Sequence, residues 1–250
     1  TLNADGLVSA GFVIGGTQAQ TVLIRAIGPG LTQLGVPGVL ADPTMELFSG
    51  QTVIGSNDDW AGAQVTTLGA KVGAFALPAN SADAALLVTL PAGAYTLHVD
   101  GGDGVALAEI YDAAAAGSAA QLLNVSTRGN VGAGAAALIG GFVVAGNTPQ
   151  RVLVRAIGRT LQSFGVQGAL ADPRLTVYRS STIVAENDNW GGADTAAVLA
   201  AQLAVGAFPL PAGSKDAVLL LTLAPGAYTA QVTGVGAGEG VALVEIYQAP

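Results

Sequence analysis

The sequence predicts an all-β protein made of two tandem, jelly-roll-like β-sandwich domains, each with one short helix. Three observations support this prediction. The second half of the chain repeats the first, so both halves should fold alike. Short β-rich runs are separated by turn residues every ~8–12 positions, a pattern typical of sandwiches. Finally, 51% of the residues are hydrophobic and only 10% are charged, and the apolar residues are spread over many short segments.

Five segments of the first copy recur in the second. Residues 21–28 recur as 151–158, 38–43 as 168–173, 57–60 as 187–190, 91–95 as 224–228, and 104–111 as 240–247. The distance between the copies grows along the chain through small insertions, which mark loops. Residues 194–205 carry apolar side chains at helical spacing, and this spacing predicts one short helix in each copy.

The repeat also sets the expected domain boundaries. We expect a first β-sandwich repeat at residues 1–113, a linker rich in Ala, Gly and Ser at 114–121, and a second repeat at 122–250. Residues 122–131 read as an additional strand that opens the second repeat. The first repeat shows no counterpart of this strand, which is expected either if the first copy is one strand shorter or if the chain is part of a longer tandem array. We therefore expect it to have an unpaired strand edge, which natural proteins rarely leave exposed.

Composition and charge narrow the possible partners. The formal net charge is -8, so nucleic acid and anionic membrane surfaces are not expected partners. No uncharged apolar run reaches the ~18–20 residues that a membrane-spanning helix needs, so membrane insertion is not expected. The chain begins with Thr1 rather than Met, which favours a processed, secreted protein.

Several motifs carry a resemblance to a known type of repeat. They are residues 124–128, Gly141-Phe142, and, in both copies, the Arg-Ala-Ile-Gly strand, the Leu-Ala-Asp-Pro segment, the Asn-Asp-(Asp/Asn)-Trp turn and the Gly-Ala-Tyr-Thr…Glu-Ile-Tyr ending. Together they resemble a tandem β-sandwich repeat of large secreted proteins of environmental bacteria. The later half of each copy is also similar to the bacterial pre-peptidase C-terminal (PPC-like) jelly-roll domain. The resemblance implies a secreted protein, extracellular or on the cell surface, with an accessory binding or assembly role.

Catalytic residues of the common kinds are scarce. His98 is the only histidine, its counterpart in the second copy is Gln231, and there are no cysteines. A duplicated active site built on histidine or cysteine is therefore excluded, and zinc sites of the usual composition are not expected. We expect a non-enzymatic protein.

Oxygen-bearing side chains cluster at one turn in each copy and suggest two interpretations. Carboxylates and amides are calcium ligands, and loops of β-sandwiches often supply them. Asn and Asp also form turns by bonding to their own backbone, so both interpretations stay open. No cofactor is required, and calcium is the possible one. The candidate metal ligands are Asn57, Asp58, Asp59, Asp83, Asn187, Asp188 and Asp216.

A tryptophan follows each of these turns. Trp60 and Trp190 could stack against a carbohydrate, or they could cap the core beside the predicted helix. An aromatic content of 5% is low for a glycan-binding protein.

An arginine lies in the middle of an apolar strand in each copy. Arg25 and Arg155 would rarely be buried without a charged partner. Because the partner should be duplicated too, the sequence predicts structural ion pairs with one of two repeated acids. These are Asp42 and Asp172, or Glu109 and Glu245.

Three functions fit these features. We favour a structural protein that assembles with itself, head to tail, into filaments or a surface layer through edge-strand complementation between subunits. The alternative is a calcium- or carbohydrate-binding accessory module of a larger secreted protein, with extracellular polysaccharide as its partner. An enzyme using paired carboxylates is the least favoured.

Overall fold

The computed structural model describes residues 8–113, 121–132, 137–144, 146–192 and 195–250. The chain forms two compact units, Thr1–Val125 and Ser126–Pro250, called unit 1 and unit 2 below. Both are built from β-sheets, and each contains one α-helix. The predicted all-β class, with one short helix per copy, is confirmed.

Unit 1 begins with a series of short strands. They are β1 (Val8–Gly15), β2 (Gln20–Ile27), β3 (Thr44–Ser49), β4 (Thr52–Asn57), β5 (Ala84–Leu90), β6 (Gly93–Asp100) and β7 (Leu107–Asp112), with helix α1 (Ala63–Val72) between β4 and β5. Strand β8 (Gln121–Val131) follows; it starts in unit 1 and ends in unit 2. The predicted linker falls almost entirely outside the described residues.

Unit 2 repeats this series. Its strands are β9 (Leu138–Val144), β10 (Gln150–Ile157), β11 (Pro173–Arg179), β12 (Thr182–Asn187), β13 (Ala217–Leu223), β14 (Gly226–Gly234) and β15 (Gly240–Gln248), with helix α2 (Thr195–Ala204) between β12 and β13. A 3-10 helix that the sequence did not predict follows the second strand of each copy, at Pro29–Leu34 and Arg159–Phe164. Each ends at a glycine with a left-handed backbone (φ 76° and 80°), a conformation that glycine adopts without steric cost. A short 3-10 turn, Val235–Ala237, precedes β15.

The strands of unit 2 pair in the order of a jelly roll. One sheet has the order β13-β10-β15-β8 and the other β12-β11-β14-β9. The pairs β8·β15, β9·β14, β10·β13 and β11·β12 are therefore nested one inside the next, which is the eight-stranded jelly-roll arrangement.

Unit 1 has the same order with one difference. Its sheets are β5-β2-β7 and β4-β3-β6-β1, and β8 lies beside β1. The position beside β7, which corresponds to the place of β8 beside β15, holds no strand among the described residues.

Apolar alternation explains where the core lies. Along β1, the side chains of Val8, Ala10, Phe12 and Ile14 are buried and alternate with half-buried positions. They join the inner core between the two sheets of unit 1. Alternate residues on β2 point to the opposite face, where helix α1 covers a second apolar cluster around Leu23. Unit 2 has an equivalent inner core and helix-covered cluster.

Candidate functional site

In the described part of the chain, one strand edge in each unit has no neighbouring strand, although the same edge is covered in the other unit; such an edge is called open below. Strand β8 lies beside β1 in unit 1 and beside β15 in unit 2. The repeat counterpart of β1 is β9, and the counterpart of β15 is β7. Both β9 and β7 stand at the end of their sheets among the described residues. Thus β9 has no strand on the side where β8 covers β1, and β7 has no strand on the side where β8 covers β15, among the described residues.

The open edge of β9 carries apolar side chains in solvent. Ile139 and Val143 are 55% and 64% exposed. The corresponding residues of β1, Ser9 and Val13, are only half-exposed. Large apolar side chains exposed on an edge strand favour association with another strand.

The open edge of β7 leaves part of a core uncovered. On β15, Val244 and Ile246 are 0% and 7% exposed. The corresponding residues of β7, Ala108 and Ile110, pack on the inner core of unit 1 but are only partly buried. Among the described residues, β7 has no neighbouring strand on this side, and the inner core of unit 1 is less completely covered here than that of unit 2.

The two mid-strand arginines pair with glutamates on the neighbouring strand. Arg25 Nε donates to Glu109 Oε2 at 2.8 Å, and Arg155 Nε donates to Glu245 Oε2 at 2.9 Å. In both cases the Arg and Glu are directly opposite in the strand register. Each pair lies on the sheet face that is covered by the helix, and each arginine is almost completely buried.

The other proposed acidic partners lie elsewhere. Asp172 pairs with Lys215 at the surface, and Asp42 is exposed. The structure therefore pairs the arginines with the glutamates and not with these aspartates, because only the glutamates lie opposite the arginines in the strand register.

Each Arg–Glu pair is completed by aromatic residues that the sequence analysis did not single out. Tyr111 Oη donates to Glu109 Oε1 and Tyr247 Oη to Glu245 Oε1, both at 2.8 Å. The Arg25 guanidinium lies 4.7 Å from the centre of the Phe75 ring, and Arg155 is 4.3 Å from the Phe208 ring. The signal was present in the sequence, since all four aromatic residues are duplicated.

Burial and the adjacent glutamate perturb both tyrosines. Partial burial raises the pKa of the Tyr111 hydroxyl, and the charge of Glu109 raises it further. Burial and Glu245 raise the pKa of Tyr247 in the same way. Both hydroxyls therefore remain protonated hydrogen-bond donors over the physiological range. This arrangement holds the strands and the helix layer together.

The Asn-Asp turns are held by protein hydrogen bonds. Asn57 Nδ2 donates to the backbone oxygen of Asp59 at 3.0 Å, and Asn57 Oδ1 accepts from the Ala85 backbone N–H at 2.8 Å. Asn187 makes the same bonds, to Asn189 and from Val218. These are the turn bonds expected of an Asn side chain.

Asp83 and Asp216 are buried, and their carboxylates accept bonds from the loop after the second strand of each copy. Asp83 Oδ1 accepts from the backbone N–H groups of Gly28 and Gly30, at 2.9 and 3.0 Å. Asp216 accepts from the Gly158 N–H at 2.8 Å and from the Thr160 hydroxyl. Such bonds satisfy a buried carboxylate without a metal ion.

The remaining acids of the cluster lie at the surface. Asp58 and Asp59 are exposed, and Asp188 is half-exposed and lies 3.7 Å from the exposed Arg174. In the part of the chain that the structure describes, no three His, Cys, Asp or Glu residues are placed to hold a metal ion. Calcium binding at these turns stays a prediction.

Both tryptophans face the helix-covered clusters. Trp190 is buried among apolar residues, and Trp60 packs against the equivalent cluster of unit 1. The indole N–H of Trp60 donates to the backbone oxygen of Pro78 and to Ser81 Oγ, and Trp190 makes the equivalent bonds to Pro211 and Ser214. Carbohydrate stacking on these rings also stays a prediction.

The only histidine of the sequence, His98, packs against an aromatic residue. Its ring centre lies 4.7 Å from the ring centre of Phe48, on the outer face of a sheet of unit 1. Of the helices among the described residues, none is long and apolar enough to cross a membrane.

Comparison with known proteins gives only distant similarities. No family model matches the chain, and no curated protein matches it. The tandem CBM51 modules of a family 98 glycoside hydrolase from Streptococcus pneumoniae are 7% identical, with 95% of this chain and 84% of that chain covered and a TM-score of 0.27. The major capsid protein P2 of bacteriophage PM2 is 8% identical over 97% and 92%, with a TM-score of 0.24. At these values the similarities carry no argument about function.

Proposed function

We propose that this protein is a non-enzymatic, extracellular structural protein that assembles with itself through edge-strand complementation between subunits. The observation that carries the proposal is the pair of open edges, β9 and β7, whose repeat counterparts are both covered by β8. An open edge presents a row of unpaired N–H and C=O groups, and a strand from another chain can satisfy them.

The edge of β9 lacks the features that usually prevent such pairing. The strand contains no charged residue and no proline, and its register with β14 is regular. At the other end of the same sheet, β12 carries Glu186, and a bulge interrupts the register of β11 and β12 near Tyr178. Charges and bulges both discourage edge pairing, so β9 is the less protected edge.

The two open edges are of different kinds, which favours a growing assembly. One is the edge of β7 and the other is the edge of β9, and these two strands are not repeat counterparts of each other. A contact between unlike surfaces is heterologous, and repetition of such a contact produces a filament when it does not close into a ring. We therefore propose head-to-tail homopolymers in the form of filaments or a surface layer.

The composition is compatible with an extracellular location. The chain has no cysteine, two lysines and a net charge of -8, and the motifs resemble those of secreted bacterial repeats. The most conspicuous buried polar groups, Arg25 with Glu109 and Arg155 with Glu245, are bonded to each other and to the surrounding protein. This supports structural rather than catalytic roles for them.

The test compares two substitutions on opposite edges of one sheet. Ile139 on β9 and Ile183 on β12 are 55% and 52% exposed, so Ile139→Lys and Ile183→Lys make the same chemical change at similar exposure. Particle mass is measured by mass photometry, and particle shape by negative-stain electron microscopy, over a range of concentrations. Circular dichroism confirms that both variants fold.

We expect the unmodified chain and Ile183→Lys to form polymers that lengthen with concentration. Ile139→Lys should remain near the monomer mass of 24.5 kDa, because a lysine on the edge opposes pairing. Uniform monomers of the unmodified chain at every concentration would overturn the proposed function. Equal loss of assembly in both variants would overturn the assignment to β9.

A further inference from the structure

We propose that the outer face of the β4-β3-β6-β1 sheet of unit 1 is an acidic docking surface, and that its partner is unit 2 of a second copy of this chain, which supplies exposed arginines. The inference goes beyond the edge pairing proposed above, because it concerns another surface and an electrostatic contact. It follows from the way in which the two repeats divide the charges of the chain.

The excess of acidic residues lies in unit 1. This unit, residues 1–125, contains ten Asp or Glu and two Lys or Arg, and ten minus two gives a formal charge of -8. Unit 2, residues 126–250, contains seven of each kind and has no net charge. Of the two bases of unit 1, Arg25 is buried against Glu109, which leaves Lys71 for the surface. Because both units have the same strand order, the fold does not require this separation.

The charges differ at matched positions of the repeat. Four exposed arginines of unit 2 replace neutral residues of unit 1. They are Arg151 at the position of Thr21, Arg159 at that of Pro29, Arg174 at that of Thr44, and Arg179 at that of Ser49. Two threonines of unit 2 replace acids of unit 1. They are Thr176 at the position of Glu46 and Thr233 at that of Asp100.

The acids on the outer sheet face of unit 1 lie close together. Glu46 projects outward from β3, and Asp100 lies on the neighbouring strand β6. Together with Asp58 they line an open depression of about 540 Å³, and the three residues are called the acidic face below. All three are exposed. None of them belongs to an ion pair in the part of the chain that the structure describes.

The counterpart face of unit 2 has its acids bound by its own side chains. Glu186 accepts a hydrogen bond from the Thr176 hydroxyl at 3.1 Å, and Asp188 lies 3.7 Å from Arg174. The acidic face of unit 1 has a threonine where unit 2 has Arg174, so this local partner is missing there.

Several of the arginines of unit 2 keep their charge available. Arg151 and Arg179 donate to backbone oxygens, which leave the positive charge of each guanidinium in place. Among the described residues, no carboxylate forms an ion pair with Arg151, Arg159 or Arg179. Unit 2 therefore offers the cations that the acidic face of unit 1 lacks.

A second copy is the partner that these charges favour. A contact between two copies of unit 1 would oppose two surfaces of like charge, which costs free energy, whereas a contact of unit 1 with unit 2 brings acids to arginines. The charge distribution thus disfavours one arrangement and favours another. A contact between unlike units is heterologous and gives the assembly a head-to-tail order.

The test replaces each charge by the residue that the other repeat has at the same position, so that the fold is retained. The acid-reset variant carries Glu46→Thr and Asp100→Thr. The arginine-reset variant carries Arg151→Thr, Arg159→Pro, Arg174→Thr and Arg179→Ser. The control, Glu186→Ser, removes an acid from the counterpart face of unit 2. Mass photometry gives the concentration at which each full chain assembles, and circular dichroism confirms folding.

At ~0.1 M salt, each reset variant should need at least about ten-fold more protein than the unmodified chain in order to assemble. The acid-reset variant is the decisive one, because it has two negative charges fewer. Weaker general repulsion would make it assemble more readily, whereas loss of the docking surface makes it assemble less readily. Glu186→Ser should not weaken assembly. At ~1 M salt the Debye length falls from ~10 Å to ~3 Å, and the differences between the chains should disappear.

A mixture of the two reset variants tests the partner directly. The acid-reset chain keeps its arginines, and the arginine-reset chain keeps its acidic face, so one contact between them is complete and the reverse contact is lost on both sides. At concentrations where neither variant assembles alone, the mixture should therefore form one-to-one dimers and no longer polymers.

The outcomes separate this inference from the proposed function. Assembly of the acid-reset variant at the same or a lower concentration than the unmodified chain would overturn the inference, as would a mixture that stays monomeric. If Ile139→Lys blocks assembly and the resets do not, the edge pairing stands and the acidic docking surface falls. The reverse result would support the docking surface and overturn the assignment to β9. Monomers of the unmodified chain in every condition would overturn both and leave the acidic face to a cationic partner of another kind.

Discussion

Unit 1 and unit 2 have the same strand order but opposite open edges. In unit 2, β8 covers β15, and the first strand β9 is left at the end of its sheet; in unit 1, β8 covers β1, and the last strand β7 is left uncovered. The matching segments have similar sequences, so local propensity does not explain the difference. Among the described residues, the units differ in which of these two edges has a neighbouring strand.

A second difference between the units lies beside the buried arginines. In unit 2, Arg155 Nη1 donates to Gln202 Oε1 at 2.8 Å and to the Phe208 backbone oxygen at 2.7 Å. In unit 1, Arg25 Nη1 donates to the Phe75 oxygen at 2.7 Å, and Gly69 stands where Gln202 does. The guanidinium of Arg25 therefore has one side-chain hydrogen-bond acceptor fewer than that of Arg155.

The largest expected effect is the loss of the ion pair in unit 2. Glu245→Ala leaves Arg155 buried without its charged partner and should lower the free energy of unfolding of unit 2 by about 3–5 kcal/mol. Glu109→Ala should cost unit 1 less, because the side chain of Glu109 is 15% exposed against 8% for Glu245. Chemical unfolding followed by tryptophan fluorescence measures one unit at a time when only that unit keeps its tryptophan.

Two variants isolate these reporters. Trp190→Phe leaves Trp60 as the reporter of unit 1, and Trp60→Phe leaves Trp190 as the reporter of unit 2. A larger loss from Glu109→Ala than from Glu245→Ala would contradict the view that unit 2 buries its ion pair more completely.

The next largest effect is the difference in unfolding free energy between two matched core substitutions, one on β15 and one on the open-edge strand β7. Ile246→Ala removes a side chain that is 7% exposed and should cost unit 2 about 2–4 kcal/mol. Ile110→Ala, at the same position of β7, should cost unit 1 roughly half as much, because Ile110 is only partly buried. Denaturant unfolding of dilute chains gives both values. Equal costs would mean that the edge of β7 is covered as well as that of β15.

High pH gives a third comparison. The pKa of Tyr111 and that of Tyr247 are raised above the usual value of about 10, so the folded state favours the protonated hydroxyls. Their contribution to stability is complete below about pH 10 and is lost as the pH rises toward their folded-state pKa. Both hydroxyls should therefore ionise later than an exposed tyrosine.

Tyrosinate absorbance and circular dichroism, recorded together, check this direction. Tyr111→Phe and Tyr247→Phe should each remove one late-ionising hydroxyl. Ionisation of all five tyrosines near pH 10 in a folded chain would contradict the expected pKa directions.

The smallest expected effect is an increase in the stability of unit 1. Gly69→Gln restores in unit 1 the residue that unit 2 uses beside its arginine, and a Cβ at Gly69 would be 4.0 Å from Arg25 Nη1, an ordinary contact. The substitution should stabilise unit 1 by about 1 kcal/mol through helix propensity, with a further gain from the hydrogen bond. Gly69→Ala is the control that contributes propensity alone. A Gln variant no more stable than the Ala variant would show that the bond is not formed.

Much of the fold could be predicted because its signals are local and duplicated. Residues 122–131 are predicted as a strand, and β8 occupies Gln121–Val131. The helical spacing at 194–205 predicts a helix, and α2 occupies Thr195–Ala204. The 3-10 helices were missed because each is only six residues long, too short to show a helical period.

The site was less predictable because it depends on pairing between distant segments. The sequence indicated an additional strand at 122–131, but not that it would cover β1 in unit 1 and β15 in unit 2, since strand register and neighbours are set by tertiary structure. The exposure of Ile139 and Val143 was missed for the same reason. Both residues are apolar, and only the absence of a neighbouring strand, as far as the chain is described, turns them into surface.

Hydrogen exchange at β1 and β9 tests whether β9 is an open edge that becomes covered on assembly. In dilute chains, the outward-pointing amides of β9 should exchange much faster than those of β1, because only β1 is covered by β8. On assembly, the β9 amides should become as protected as those of β1. Equally slow exchange of both strands in the dilute chain, or fast exchange of β9 within polymers, would contradict the account.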